Sequence, residues 1–266
     1  MTARKHLGRG LESVSHLFLS RRQPSQDEAP APTTAPGVPT RCLFVASGAE
    51  VIGKSVVACN VALELAQRGH RTAVVDADPS LPTVRLLMGA AVSSEAGPER
   101  LALDGAHALS LFDTLGQAMA DDEAWDYVIV NSPADFFAGG PPPVSAGGLL
   151  LVVSPESRGL IRSYAIAKRM AGWHLGLPLG IVVSGVAGDA AARAFFDQFL
   201  DVLERQVNLR PAYCGFLPEH DEIGRSVLSR VPAVLGPEES DLIEPLRRIA
   251  EAVAHVFEPG GSAGNS

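Results

Sequence analysis

The chain has 266 residues, of which 46% are hydrophobic and 20% are charged, and its formal net charge is −8. This apolar content is sufficient to bury a core and excludes global disorder. The acidic balance argues against a nucleic-acid partner, because neutralising phosphates requires clustered Lys and Arg. We therefore expect one α/β domain with terminal extensions.

The cysteines, Cys42, Cys59 and Cys214, are odd in number and widely spaced, which fits neither a disulfide framework nor a metal-ligand pattern. The seven histidines also lack metal-ligand spacing. No apolar run approaches the roughly 20 residues of a membrane span, and the N-terminus has no signal-peptide pattern. We expect a cytoplasmic protein in a reducing compartment.

The N-terminal segment, residues 1–22, carries five Lys or Arg residues against one Glu. Its apolar stripe, on one face of a predicted helix, comprises Leu7, Leu11, Val14 and Phe18. This pattern is typical of docking to a protein partner, or of transient contact with an anionic membrane surface. Docking would place the protein at the membrane or the cell pole. The alternative is a frayed tail, or a helix that folds back on its own domain.

Residues 23–40 are rich in Pro, Ala and Thr and are predicted to form an extended linker, while residues 258–266 are predicted to be a disordered tail. Between them, over 41–257, short apolar runs alternate with helical patterns. The predicted strands are RCLFVAS, RTAVVD, YVIVN, LLLVVS, LGIVVSG and AYCGF. The predicted helices cover 55–68, 107–121, 159–174, 190–206, 221–235 and 240–257. This alternation predicts a three-layer α/β fold, a mostly parallel sheet with helices on both faces.

A phosphate-binding pattern, G-x-x-x-x-G-K-[ST], follows the first predicted strand and leads into a helix. In such a P-loop the backbone N–H groups hold phosphates, the Lys reaches the β and γ phosphates, and the Ser hydroxyl ligates Mg²⁺. We therefore predict ATP and Mg²⁺ as cofactors. The predicted nucleotide-binding residues of this loop are Gly48, Ala49, Glu50, Val51, Ile52, Gly53, Lys54, Ser55 and Val56.

Four segments of the chain carry further motifs. They are SGAEVIGKSVVACNVALELAQRGHRTAVVDADPSLPTVRLLMG, WDYVIVNSPAD, LLLVVSPESRGLIRSYAIAKRM and CGFLPEHDEIGRSVLSRVPAV. Together they resemble the ParA/MinD superfamily of P-loop ATPases. The last segment is more similar to the MinD and flagellar-number-regulator branch than to the bacterial tyrosine kinases, which usually end in a tyrosine cluster. The resemblance implies a P-loop NTPase fold and a homodimer that holds ATP between its subunits.

The resemblance also implies roles for single residues. Asp78 corresponds to the catalytic carboxylate that positions the attacking water. Ser55, Asp76 and Asn131 correspond to positions near Mg²⁺, and Ser184 and Pro218 to positions at the nucleotide. For Asp76 and Asp78 the alternative role is a polar cap at the end of a strand.

The chain departs from the family at several of these positions. Ala49 replaces the family's signature lysine, and Glu50 and Val51 replace the two loop glycines after it. Asn131 replaces the metal-binding acid, and Asp135 replaces the switch glycine. Ser184 and His220 replace two residues that recognise the base. These changes predict weak nucleotide binding and slow or lost hydrolysis. The stretch between Gly89 and Asp126 is also shorter than in the family, so we expect a strand or hairpin to be missing.

Three functions fit these features. The favoured one is a MinD-type spatial regulator or assembly factor for a polar or envelope machine, such as a flagellum, a pilus or a polysaccharide secretion complex. The second is an active ParA/MinD-type ATPase, including chromosome or plasmid partitioning, against which the acidic body counts. The third is a tyrosine-kinase-like module of polysaccharide export.

Overall fold

The computed structural model describes residues 42–48, 53–77, 82–90, 99–101, 109–121, 125–133, 136–138, 140–142, 146–173, 176–219, 221–236 and 240–257. The predicted N-terminal segment, linker and C-terminal tail lie outside these residues.

A single mixed sheet forms the centre of the described part of the chain. Its strands are β1 (Cys42–Ser47), β2 (Thr72–Asp76), β3 (Glu99–Leu101), β4 (Leu109–Phe112), β5 (Tyr127–Asn131), β6 (Gly148–Val153), β7 (Leu179–Ser184) and β8 (Ala212–Leu217). The strand order is β3-β4-β2-β5-β1-β6-β7-β8. All the strand pairs are parallel except β3 with β4, which is antiparallel.

Helices cover both faces of this sheet. They are α1 (Lys54–Gln67), α2 (Thr83–Leu87), α3 (Leu115–Ala120), α4 (Ser157–Gly172), α5 (Asp189–Val207), α6 (Asp221–Ser229) and α7 (Ile243–Val256), with 3₁₀ turns at Phe136–Ala138 and Ala233–Leu235. The apolar residues of α1, α2, α6 and α7 form one core with the sheet, and those of α3, α4 and α5 form the other. The predicted three-layer α/β fold is confirmed.

The central strands β1, β2, β5, β6 and β7 are nearly continuous apolar runs because both of their faces are buried. In β1, Leu43 and Val45 face the core under α1, whereas Phe44 and Ala46 face the opposite core. This alternation follows from the two-residue period of a strand. No described helix combines the length and the apolar character that crossing a bilayer requires.

The predicted helix over 107–121 is wrong in its first half, where residues 109–112 form β4. Leu109 and Leu111 face one core and Phe112 faces the other, which is the two-residue period of a strand. Helix α3 begins only after Thr114, whose side chain forms a capping box with Gln117.

The stretch between Gly89 and Asp126 contains a hairpin, because β3 and β4 pair antiparallel at the edge of the sheet. That a strand or hairpin of the family is missing stays a prediction. Arg85 of α2 anchors this pair. Its buried guanidinium donates to Asp113 Oδ1 at 2.6 Å and lies 3.5 Å from Glu99 Oε2. A buried cation between two carboxylates therefore holds these edge strands together.

The predicted helix over 221–235 is shorter than expected and ends at Ser229. Arg230 adopts a left-handed conformation with φ 54°, and Pro232 follows it. A proline cannot continue a helix, because it lacks the N–H donor and its ring clashes with the preceding turn. The remaining residues, Ala233–Leu235, form a 3₁₀ turn.

Candidate functional site

The candidate site lies where parallel strands end at one edge of the sheet. Gly48 follows β1, while Asp76 ends β2 and Asn131 ends β5. The register pairs Asp76 with Asn131 directly, and Ser184 at the end of β7 pairs with Leu217 of β8. Ligands of open α/β sheets bind at this carboxyl edge, because the loops and helix N-termini meet there.

Gly48 and Gly53 lie at the two ends of the predicted phosphate loop, and a side chain at either position would clash with its neighbours. The N–H of Gly48 donates to Ser163 Oγ at 3.2 Å, and a Cβ at Gly48 would lie 2.3 Å from the carbonyl oxygen of Gly159. Gly53 has a φ of 108°, and a Cβ there would lie 2.6 Å from Leu217 Cδ1. The loop therefore enters and leaves through positions that only glycine can occupy.

Helix α1 starts immediately after the loop, so its first N–H groups lie at the loop's end. The Lys54 ammonium donates to the carbonyl oxygen of Ser132, the residue after β5. Ser55 is half-buried in the first turn of α1. The Val56 side chain is buried in the core, so Val56 can contribute only backbone groups to the loop. This geometry suits phosphate oxygens, which need N–H donors and a positive charge.

Asp76 is 5% exposed and accepts hydrogen bonds from three protein donors. Its Oδ2 accepts from the backbone N–H groups of Val84 at 2.9 Å and Arg85 at 3.2 Å. Its Oδ1 accepts from Asn131 Nδ2 at 2.9 Å. Burial raises the pKa of Asp76 above its ordinary value, because desolvation outweighs these hydrogen bonds and the nearby charge of Lys54.

Asn131 is 1% exposed and uses its amide nitrogen for Asp76. Its Oδ1 has no hydrogen-bond donor in the part of the chain that the structure describes. The described residues also include no cluster of three or more His, Cys, Asp or Glu that could hold a metal ion. Lys54 and the first N–H groups of α1 thus suit phosphate. The Asp76 carboxylate, with three N–H donors around it, leaves about one lone-pair position and is a poor ligand for a divalent cation.

The other predicted site residues divide into two groups. Ser184 is buried, and its hydroxyl lies 3.2 Å from the Cβ that a side chain at Gly53 would add, so it packs against the end of the loop. Pro218 is half-buried after β8. Nucleotide contact by either residue stays a prediction. Outside the described residues lie Ala49, Glu50, Val51, Ile52, Asp78, Asp135 and His220.

Sequence reasoning missed three contributors to this edge of the sheet. Ser163 of α4 binds the Gly48 N–H across 115 residues of sequence, the Ser132 carbonyl binds Lys54, and the first turn of α2 binds Asp76. Every residue has backbone polar groups, so the sequence does not indicate which of them contact the site, and no local pattern marks Ser163. Only the fold brings these partners to the site.

A lysine, two flanking glycines and a helix N-terminus at the carboxyl edge of a mostly parallel sheet define a nucleotide-binding protein of the P-loop class. The family model described as CobQ/CobB/MinD/ParA nucleotide binding domain matches residues 43–233. The chain belongs to this family.

Solved structures of MinD and related proteins share the fold. The MinC:MinD cell division protein complex of Aquifex aeolicus gives a TM-score of 0.63 at 18% identity, covering 79% of this chain and 94% of that chain. MinD of Pyrococcus horikoshii with Mg-ADP gives 0.59 at 18%, covering 80% and 95%. An ATP complex of McdA from Cyanothece gives 0.57 at 15%, covering 82% and 96%. At these identities the structures show a common fold alone.

Among curated proteins, an iron-sulfur cluster carrier protein of Synechocystis is 36% identical over 93 residues. The match covers 34% of this chain and 26% of the relative. The chain therefore matches about a quarter of the length of that relative.

Proposed function

We propose that this chain is a MinD-type spatial regulator or assembly factor that binds ATP weakly and hydrolyses it slowly or not at all. The observation that carries the proposal is the state of Asp76, whose carboxylate binds the α2 amides and the Asn131 side chain. Lys54, which donates to the Ser132 carbonyl, and the first N–H groups of α1 supply the kind of donors that phosphates need. Such a site retains anion binding and places the amide of Asn131, instead of a second carboxylate, beside Asp76, which weakens the hold on Mg²⁺.

We propose that the protein is a homodimer and that its N-terminal segment binds a separate protein partner. Support for this comes from charge, since residues 1–22 are basic whereas the whole chain is acidic. A protein partner or an anionic membrane surface would attract this segment. We propose that the cytoplasmic protein is thereby recruited to a polar or envelope machine, namely a flagellum, a pilus or a polysaccharide secretion complex.

Nucleotide binding is tested by titration calorimetry with ATP and Mg²⁺, followed by a phosphate-release assay. We expect weak binding and little release. Lys54→Ala should weaken binding by about tenfold or more, since a hydrogen bond to a charged group contributes about 1.5–3 kcal/mol. Lys168→Ala is the matched control, because Lys168 is exposed on α4. Micromolar binding with rapid phosphate release would contradict the proposal and favour the active ATPase.

The N-terminal segment is tested by localising fluorescent fusions in cells. Deleting residues 1–22 should abolish polar or partner localisation and leave the thermal unfolding of the domain unchanged. A second variant replaces only the apolar stripe by Ser, at Leu7, Leu11, Val14 and Phe18, and keeps every charge. Loss of localisation in both variants supports docking through the stripe. Unchanged localisation after the deletion would refute the docking role.

A further inference from the structure

Asp76 caps a helix that begins several residues further along the chain. Pro82 precedes α2 and provides no side-chain cap. The carboxylate of Asp76 accepts the N–H groups of Val84 and Arg85 instead, at 2.9 and 3.2 Å. Two of the four unpaired donors at the start of this helix are thereby satisfied. One oxygen of Asp76 is committed to the helix.

The other carboxylate oxygen of Asp76 faces a hydrogen-bond donor. Asn131 lies directly opposite Asp76 in the β2–β5 register and donates its amide nitrogen to Oδ1 at 2.9 Å. Three N–H donors thus occupy three of the roughly four lone-pair positions of the carboxylate. The partial positive charge of the amide group lies where a cation would have to approach.

The charges of the described site also disfavour a cation beside Asp76. The positive charge of Lys54 lies near the Asp76 carboxylate and opposes the approach of a second cation. Mg²⁺ dehydrates reluctantly and is usually held by one or two available carboxylates together with substrate phosphates. The Asp76 carboxylate, already bound by three donors, is a poor ligand for this ion.

We propose that this chain binds its nucleotide in the metal-free form, with Asn131 replacing a divalent cation beside Asp76. Among the described residues, Lys54 and the amide N–H groups at the start of α1 then supply the positive charge toward the phosphates. The inference rests on the proposed nucleotide binding and deepens it, because it specifies the ionic form of the ligand.

The first experiment measures the affinity of the full-length protein for ADP and ATP by calorimetry, once with Mg²⁺ and once with EDTA. We expect the two dissociation constants of each nucleotide to agree within about threefold, less than the tenfold change that corresponds to 1.4 kcal/mol. Binding that requires Mg²⁺ would overturn the inference and leave the proposed nucleotide function intact. Absence of binding in both buffers would overturn the proposed function and this inference with it.

The second experiment introduces a second carboxylate with Asn131→Asp. Two carboxylates at hydrogen-bond distance repel each other, so the variant should melt at a lower temperature in EDTA and recover stability with Mg²⁺. Its nucleotide affinity should become dependent on Mg²⁺ by about tenfold or more. A variant that responds to Mg²⁺ no more than the wild type would contradict the inference.

Asn60→Asp is the matched control, because Asn60 is also fully buried and hydrogen-bonded but belongs to α1 and contacts Val234. It should lose stability without recovery by Mg²⁺. Recovery of both variants would mean a general salt effect and would count against the inference. If Asn131→Asp does not fold, the comparison of the wild type with and without Mg²⁺ decides alone.

Discussion

At the residue scale, the constraints on the site are steric and electrostatic. Gly53 has a left-handed backbone, and a Cβ there would overlap the Leu217 side chain. Asp76 and Asn131 are buried polar groups whose hydrogen bonds to each other and to α2 offset part of their desolvation. Both features make the site sensitive to single-atom changes.

Gly53→Ala should lower the free energy of unfolding by about 1–3 kcal/mol, because the added methyl group is overpacked against Leu217 and the left-handed φ disfavours a Cβ. Urea denaturation measures this difference. Gly224→Ala within α6 is the control, since a Cβ there meets no heavy atom within 4 Å. It should be neutral or stabilising by less than about 1 kcal/mol. Equal effects of both substitutions would contradict the steric role of Gly53.

Asp76 contributes a specific pH dependence. Burial raises its pKa above the ordinary value of 3.8, so between these two values the folded state holds more protons than the unfolded state. The contribution of Asp76 to the free energy of unfolding therefore falls as pH rises through this window. Asp76→Asn removes this contribution. Urea titrations of both proteins, from below pH 3.8 to neutral pH, should give a wild-type minus variant difference that falls with pH. A flat or rising difference would exclude the raised pKa.

At the element scale, α1 is held by its apolar faces and by polar contacts to α7 and to the 3₁₀ turn at Ala233–Leu235. Asn60 Oδ1 accepts the buried N–H of Val234 at 3.0 Å, and its Nδ2 donates to the carbonyl of Val56 at 2.8 Å. Near the other end of α1, Glu64 accepts from Arg247 of α7 at 3.2 Å. These contacts fix the helix that carries Lys54 against α7 and the 3₁₀ turn at Ala233–Leu235.

Asn60→Ala should lower the free energy of unfolding by about 1–3 kcal/mol, because the buried N–H of Val234 loses its acceptor. Chemical denaturation is the measurement. Gln67→Ala is the control on the same helix, since Gln67 carries the same amide group and is exposed. It should change stability by less than about 0.5 kcal/mol. A neutral Asn60→Ala would show that another group satisfies this N–H.

At the scale of the whole molecule, the end of α7 closes the fold over the starts of two central strands. Phe257 is 6% exposed, and Cβ atoms at Gly148 and Gly180 would lie 2.2 and 3.3 Å from its ring. Both glycines therefore leave space for the aromatic ring. A residue at the end of the described chain thus packs on strands that also position the phosphate loop.

Phe257→Ala should lower the free energy of unfolding by about 3–5 kcal/mol, because it removes a buried ring and leaves a cavity over the glycines. Leu228→Ala is the apolar control, since Leu228 is 84% exposed. Its effect should be within about 0.5 kcal/mol. Thermal and urea denaturation measure the stability of both variants. We expect one cooperative transition for the folded domain. Similar losses in the two variants would contradict this role of Phe257.

Much of the fold followed from local sequence patterns, because a buried parallel strand is a short apolar run wherever it occurs. The strand at 109–112 was missed because the short run LSLF also fits a helical pattern, and its pairing with β2 and β3 is a tertiary feature. The capping box at Thr114 and Gln117 was the local signal that the helix begins later.

By itself, the sequence determined the alternation of strands and helices and the position of the phosphate loop, because period, glycine placement and the Gly-Lys-Ser motif are local properties. Only the tertiary structure decided which groups donate hydrogen bonds to the Asp76 carboxylate. Its partner Asn131 is 55 residues away in the chain, and the β2–β5 register makes them neighbours. The α2 amides reach the same carboxylate only through the packing of that helix beside β2. The phosphate loop was predicted from the sequence, and the carboxylate beside it acquired its role from the fold.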